Sequence, residues 1–168
     1  MSSVEEKAAL DAVHTQLFIG GEWRDAEGGK KLDVEDPSNG KVLVQVADAS
    51  VADGKAALDA AVAAQADWAA TAPRERGEIL RRAFEAIIDQ ADDFAELISL
   101  EMGKTLAEAK GEVTYGAEFF RWFAEEAVRI HGRWMQAPAG GSRLLTIRKP
   151  VGPCLFITPW NFPLAMGT

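Results

Sequence analysis

Lys149-Pro150-Val151-Gly152-Pro153-Cys154-Leu155-Phe156-Ile157-Thr158-Pro159-Trp160-Asn161-Phe162-Pro163 decides how the rest of the chain is read. From Val151 to Ile157 it is an unbroken apolar run, the texture of a parallel strand covered on both faces. It then enters a turn held by Pro159 and Pro163, after which a helix is expected to start. Ligands in open α/β sheets bind just beyond the carboxyl ends of strands, so this turn is where a site is expected. Asn161 is the polar side chain of the turn whose amide can donate two hydrogen bonds. A rigid turn presenting such a donor beside a helix N-terminus suits a developing oxyanion. Taken alone, the residues fit better an asparagine that only holds its own turn together. A covered parallel strand needs neighbours on both sides, and no further strand follows before Thr168, so this one is expected to stand without its partners.

Upstream, Trp134 to Gln136 and Leu144 to Ile147 read as two strands joined through Pro138-Ala139-Gly140-Gly141, a hairpin that could protrude as an arm. Before it, apolar residues recur with the period of a helix. Ser50 with Asp53 resembles a capping box with the shorter acid, opening an alanine-rich helix that carries Val51, Leu58, Val62 and Trp68. Pro73 suits the first turn of a second helix, where Ile79, Leu80, Ala83, Phe84, Ile87 and Ile88 form one half-buried stripe. A third helix turns Phe94, Leu97 and Ile98 inward and stops near Gly103. Thr105 with Glu108 is a capping box for a long helix with Leu106, Ala109, Val113, Gly116, Phe120, Phe123, Ala127 and Ile130 at three-four spacing. That spacing would allow a coiled coil, but Phe119 and Trp122 widen the seam and favour a packed helix. Nearer the N-terminus, Leu17-Phe18-Ile19 and Val42-Leu43-Val44-Gln45-Val46 lie among the turn-rich runs Gly20-Gly21, Gly28-Gly29 and Asp36-Pro37-Ser38-Asn39-Gly40. They read as strands of a small antiparallel sheet.

Composition narrows the function classes. The 168 residues are 48% hydrophobic and 26% charged, as in a soluble globular protein, and no run approaches the roughly 20 apolar residues of a membrane span. A net charge of −8 opposes nucleic-acid binding. The basic cluster Arg74, Arg76, Arg81 and Arg82 is interleaved with Glu75, Glu78 and Glu85, which suits a solvated helix face laced with ion pairs. Met1 to Thr15 carries Glu5 and Glu6 and no apolar core of signal-peptide length, so the cytoplasm is the expected compartment. One cysteine, Cys154, leaves no internal disulfide, and with only His14 and His131 beside it no zinc site is expected.

Other candidate motifs fall away. Gly103-Lys104-Thr105 resembles the end of a P-loop, but the position five before Gly103 is Ile98 rather than glycine, so the triplet reads as a helix stop and an N-cap. No G-x-G-x-x-G follows any expected strand. Cys154 lies in an apolar strand with no adjacent base or cation, and is expected to be a buried, inert thiol. His131, at a helix end, is expected to cap carbonyls.

The stretch from Lys149 to Pro163 resembles the most distinctive N-terminal motif of the aldehyde dehydrogenase superfamily. The likeness extends through Ile19-Gly20-Gly21-Glu22-Trp23, Asp36-Pro37-Ser38-Asn39-Gly40 and Glu101-Met102-Gly103-Lys104-Thr105-Leu106-Ala107-Glu108-Ala109. Phe119-Phe120-Arg121-Trp122-Phe123-Ala124-Glu125-Glu126 is most similar to the succinate-semialdehyde branch.

That resemblance implies oxidation of an aldehyde, such as succinate semialdehyde, to the acid, with hydride passed to NAD or NADP. A cysteine thiolate attacks the aldehyde, the thiohemiacetal oxyanion expels hydride, and a glutamate activates water against the thioester. It further implies that Asn161 is the side-chain donor to the oxyanion, that Ile157, Thr158, Pro159 and Trp160 border the cofactor, and that Phe162 and Met166 line the substrate tunnel. The implied fold is α/β, a truncated N-terminal part of an aldehyde dehydrogenase with a Rossmann-like cofactor domain. Residues 1–16 are a tail, 17–132 part of the cofactor-binding domain, 133–150 an oligomerisation hairpin serving a homodimer or homotetramer, and 151–168 the first parallel strand and start of the next helix. The nucleophile, the general base and the glycine-bearing cofactor turn would all lie beyond Thr168. So would an arginine, immediately after Thr168, for the substrate's distal carboxylate. The 168-residue chain alone is therefore expected to be inactive and prone to aggregate. Two alternatives remain: a dehydrogenase for another aldehyde, such as betaine aldehyde or glutarate semialdehyde, and a short non-catalytic protein that binds dehydrogenase subunits.

Overall fold

A computed structural model describes residues 9–168 of the chain, so the first half of the expected tail, and with it Glu5 and Glu6, lies outside the described residues. Two antiparallel hairpins come first: β1 (Leu17–Ile19) with β2 (Glu22–Arg24), and β3 (Lys31–Glu35) with β4 (Val42–Ala47). They remain two separate two-stranded ladders rather than the single small sheet expected, because each strand closes on its nearest neighbour through a tight turn. The Asp36–Gly40 turn between β3 and β4 is held by Asp36, whose carboxylate accepts the Ser38 N–H at 2.8 Å, and by Gly40, which takes a positive φ of 71°.

Four helices follow: α1 (Val51–Ala70), α2 (Pro73–Asp89), α3 (Ala91–Met102) and α4 (Leu106–Glu126). The box at α1 is complete. Ser50 Oγ accepts the Asp53 N–H at 3.1 Å, and Asp53 accepts the Ser50 N–H at 2.9 Å. Buried Asp53 also accepts the Glu27 N–H at 2.9 Å and pairs with Arg24 at 3.0 Å, so one carboxylate ties β2 and the turn at Glu27–Gly29 to the start of α1. The Glu27 and Ser50 amides, seconded by the Ser50 hydroxyl and Arg24, pull its carboxyl down to about 2. At α4 the Thr105 hydroxyl accepts the Glu108 N–H at 3.3 Å, but the Glu108 carboxylate bonds the Thr105 hydroxyl rather than its amide, leaving the box half made.

The core lies between α3 and α4, where Ala95, Ile98, Ala109 and Val113 are buried and Ile87, Phe94, Leu106 and Leu164 pack around them. Burying one such aliphatic side chain fully stabilises by about 1.5–3 kcal/mol. α4 is a packed helix, as expected, but Trp122, expected to widen its seam, is exposed, and the helix ends at Glu126 rather than running on to Ile130. Gly77 lets α2 approach α4 closely, since a Cβ there would stand 2.8 Å from the Ala124 carbonyl oxygen. α1 differs: Val51, Leu58, Val62 and Trp68 are all exposed, so this helix rests on alanine propensity and its cap rather than on a buried face. Among the described residues no helix is long and apolar enough to cross a membrane.

β5 (Arg133–Gln136) and β6 (Arg143–Thr146) form the expected hairpin, in register Arg133↔Thr146 to Gln136↔Arg143, and every residue of both strands is exposed. Residues 151–157 form no strand. A parallel strand needs a free ladder edge brought to it by distant chain, and the three ladders described here are antiparallel pairs formed by chain neighbours. The helix expected after Pro163 is likewise only a set of turns. Its one i→i+4 bond runs from the Met166 N–H to the Phe162 carbonyl at 3.3 Å, too little to offset the cost of helix nucleation.

Candidate functional site

The site takes shape where residues 161–168 fold against α4. The inner face of that helix presents Ala109, Val113, Gly116 and Ala117, all buried, and among them one acid, Glu112. Gly116 makes the approach possible: a Cβ there would stand 3.2 Å from Ala165 Cα and 3.2 Å from Thr168 Oγ1.

Glu112 is the polar centre of this contact, with 1% of its side chain exposed. Its Oε1 accepts the Leu164 N–H at 3.0 Å and the Ala165 N–H at 3.3 Å, while Oε2 lies 2.5 Å from Lys104 Nζ. A carboxylate removed from water needs a matching charge and filled lone pairs, and both are supplied here. Lys104 is itself set by the end of α3. Gly103 adopts φ 78° there, and Ser99 Oγ donates to the Lys104 carbonyl at 2.8 Å. From that place the Lys104 ammonium also donates to the Asn161 carbonyl at 2.8 Å and lies 4.4 Å from the centre of the Phe162 ring.

The expected site residues divide into two groups. Asn161 and Phe162 come to the Lys104–Glu112 pair. The Asn161 carbonyl is engaged there while the residue stays exposed, its side-chain amide directed to no acceptor among the described residues. Phe162 lines a cleft of about 470 Å³ with Met102, Lys104, Glu112 and Tyr115. Met166, expected beside Phe162, shares its turn. Ile157, Thr158, Pro159 and Trp160 are all exposed, Ile157 at 89% and Trp160 at 79%, and make no hydrogen bond among the described residues. Cys154, expected to be buried, is exposed, because the strand that would have been covered is not formed. Its Sγ makes one weak contact, 3.5 Å from the Gly152 carbonyl. His131 does meet a carbonyl, that of Arg129, 2.7 Å from its Nδ1.

Sequence reasoning took Lys104 as part of a helix stop and of the family likeness, with no role of its own, and passed over Glu112. The signal was present: position 112 falls between Ala109 and Gly116 on the apolar stripe of α4, and a charge on a buried stripe calls for a partner.

The family model described as the aldehyde dehydrogenase family matches residues 23–168. A succinate-semialdehyde dehydrogenase of Paenarthrobacter nicotinovorans is 61% identical over 127 residues, 76% of this chain and 28% of that protein. The NADP(+) succinate-semialdehyde dehydrogenase of Escherichia coli (strain K12) is 46% identical over 153 residues, 91% of this chain and 32% of its own length. The crystal structure of an aldehyde dehydrogenase from Brucella melitensis biovar abortus 2308 superimposes with a TM-score of 0.90 at 45% identity, covering 99% of this chain and 34% of that one. The chain thus spans about a third of the length of the relatives it matches. With 146 consecutive residues under the family model and the same α/β fold in its structural counterpart, the chain belongs to the aldehyde dehydrogenase family.

Proposed function

We propose that this chain supplies the oxyanion-binding corner of an NAD(P)-dependent dehydrogenase that oxidises succinate semialdehyde to succinate. The observation that carries the reading is the exposed Asn161 amide, held at the end of an apolar segment by backbone contacts to Lys104, just before α4, and to Glu112 on α4. The high identity to succinate-semialdehyde dehydrogenases supports the choice of substrate.

In this reading the Asn161 side chain donates to the aldehyde oxygen as negative charge grows on it, a contact that strengthens toward the transition state. Phe162 and Met166 form part of the wall along which the substrate's carbon chain lies. Ile157 to Trp160 fit one border of a dinucleotide site, because they are exposed, with backbone amides and carbonyls outside any ladder. The bound nicotinamide would supply hydride acceptance. Cys154 does not fit the nucleophile's part: it is exposed, and among the described residues the hydrogen-bond contact of its Sγ is to the Gly152 carbonyl, with no base or cation hydrogen-bonded to it. The nucleophilic cysteine and the general-base glutamate are assigned to sequence other than these 168 residues.

Residues 17–132 and 151–168 are assigned to the cofactor-binding part, and 133–150 to contacts between subunits of a homodimer or homotetramer. The exposed Trp134 and Leu145 of the hairpin support that role. A reducing cytoplasmic setting suits a chemistry that depends on a thiolate.

The test is to express the protein from its complete reading frame and follow NAD and NADP reduction with succinate semialdehyde, glutarate semialdehyde and betaine aldehyde. Succinate semialdehyde is expected to give the highest kcat/KM, and the 168-residue polypeptide alone is expected to reduce neither cofactor. Absence of turnover with every aldehyde would overturn the reading.

A further inference from the structure

We propose that Lys104 and Glu112 are positioning residues that clamp the 161–165 turn by its backbone and so fix where the Asn161 amide points. The inference rests on the assignment of Asn161 to the oxyanion and adds the device that would hold it there.

The clamp grips both sides of the turn. Lys104 Nζ binds the carbonyl of Asn161 itself, while Glu112 Oε1 takes the amides of Leu164 and Ala165. The 2.5 Å ion pair joins the two grips, and Phe162 lies under the ammonium. None of these contacts uses the Asn161 side chain, so the amide is left free while its own backbone is fixed. The rest of the approach is less restrained, because residues 151–158 have no ladder partners among the described residues. A side chain at the end of such a segment owes its direction to whatever fixes its backbone, and a misplacement of about 1 Å can cost about 10²-fold in rate.

The ion pair is buried, with Lys104 12% and Glu112 1% exposed, so removing one partner alone risks misfolding. The experiment therefore removes both charges together, as Lys104→Met with Glu112→Gln, in the protein expressed from its complete reading frame, alone and combined with Asn161→Ala. Asn161→Ala is expected to lower kcat by about 10²–10³-fold. The paired variant is expected to lower kcat by about 10²-fold with little change in KM for the cofactor. If the pair acts only through Asn161, adding it to Asn161→Ala should lower kcat by no more than about threefold further. Fully multiplicative losses would overturn the proposal, since the pair would then act elsewhere. So would an unchanged kcat in the paired variant.

Amide exchange keeps the two readings apart. The Leu164 and Ala165 amides are expected to exchange at least about tenfold faster in the paired variant while the α2 amides hold their protection. Unchanged exchange would overturn the clamp even in a protein that oxidises aldehydes. An unaffected kcat in Asn161→Ala, with faster exchange in the paired variant, would instead sink the oxyanion assignment and leave the clamp without a catalytic purpose.

Discussion

Residues 151–158 and residues 161–168 are two halves of one apolar stretch, and they meet opposite fates. In the first half Val151, Leu155 and Ile157 are exposed and belong to no ladder. In the second Ala165 is buried, Leu164 packs on the core, and two backbone amides are held by Glu112. Hydrophobicity does not separate them, since the exposed half is the more apolar. The difference is that the second half has a surface within the described residues shaped to receive it: a glycine that allows close approach and a paired acid that satisfies the incoming amides. Apolar character states a need for cover, and a fold forms only where complementary shape and polar partners meet it.

The comparison can be broken from the pinned side. Glu112→Ala leaves the Lys104 ammonium largely buried without its counter-charge, and is expected to cost about 3–5 kcal/mol, read by denaturant unfolding. A cost below about 1 kcal/mol would mean that the turn is held by apolar packing instead. Gly116→Ala pushes a methyl into the Ala165 backbone and should cost about 1–3 kcal/mol, with the loss of amide protection centred on residues 164–168.

A control away from both halves sharpens it. Ser50→Ala removes one side of the complete cap on α1, and should cost about 1 kcal/mol without changing exchange at Leu164. Acid titration tests the same cap. The Asp53 carboxyl is lowered from the ordinary 3.8 to about 2, so the stability it contributes is present above pH 3.8 and lost as the pH falls through about 2. A pH-dependent loosening of the Ser50–Asp53 region over that window, followed by amide exchange, is the expected result. The smallest effect is expected on the exposed side. Ile157→Ser in the 168-residue polypeptide should shift stability by less than about 0.5 kcal/mol and reduce aggregation. A large loss would show that the segment is covered after all.

Much of the fold was legible because it is local. Ser50 with Asp53, Pro73, Gly103 and Thr105 each mark a helix boundary within a few residues of where it falls. The α4 stripe foretold the buried face at Ala109, Val113, Gly116 and Ala127, whereas Phe123 and Ile130 on the same stripe are exposed. The Trp134–Gln136 and Leu144–Ile147 strands were readable from the turn between them. The misreadings share one cause. The covered Cys154 and a single N-terminal sheet each required a partner from distant chain, and alternation or apolarity says nothing about whether that partner arrives; the 151–157 run, expected to stand without its partners, accordingly joins no ladder. The site was half legible: the Pro159–Pro163 turn points to Asn161, whereas nothing near Asn161 in sequence points to Glu112.

The order and type of the elements, their caps and the family motif were determined by the sequence itself, because these depend on contacts three to five residues apart. Tertiary structure alone decided that an acid on α4 closes on amides 52 and 53 residues away, with Lys104 joining the two. A buried carboxylate can be recognised one helix turn at a time, but its partners are chosen by whichever backbone the fold carries into hydrogen-bonding reach.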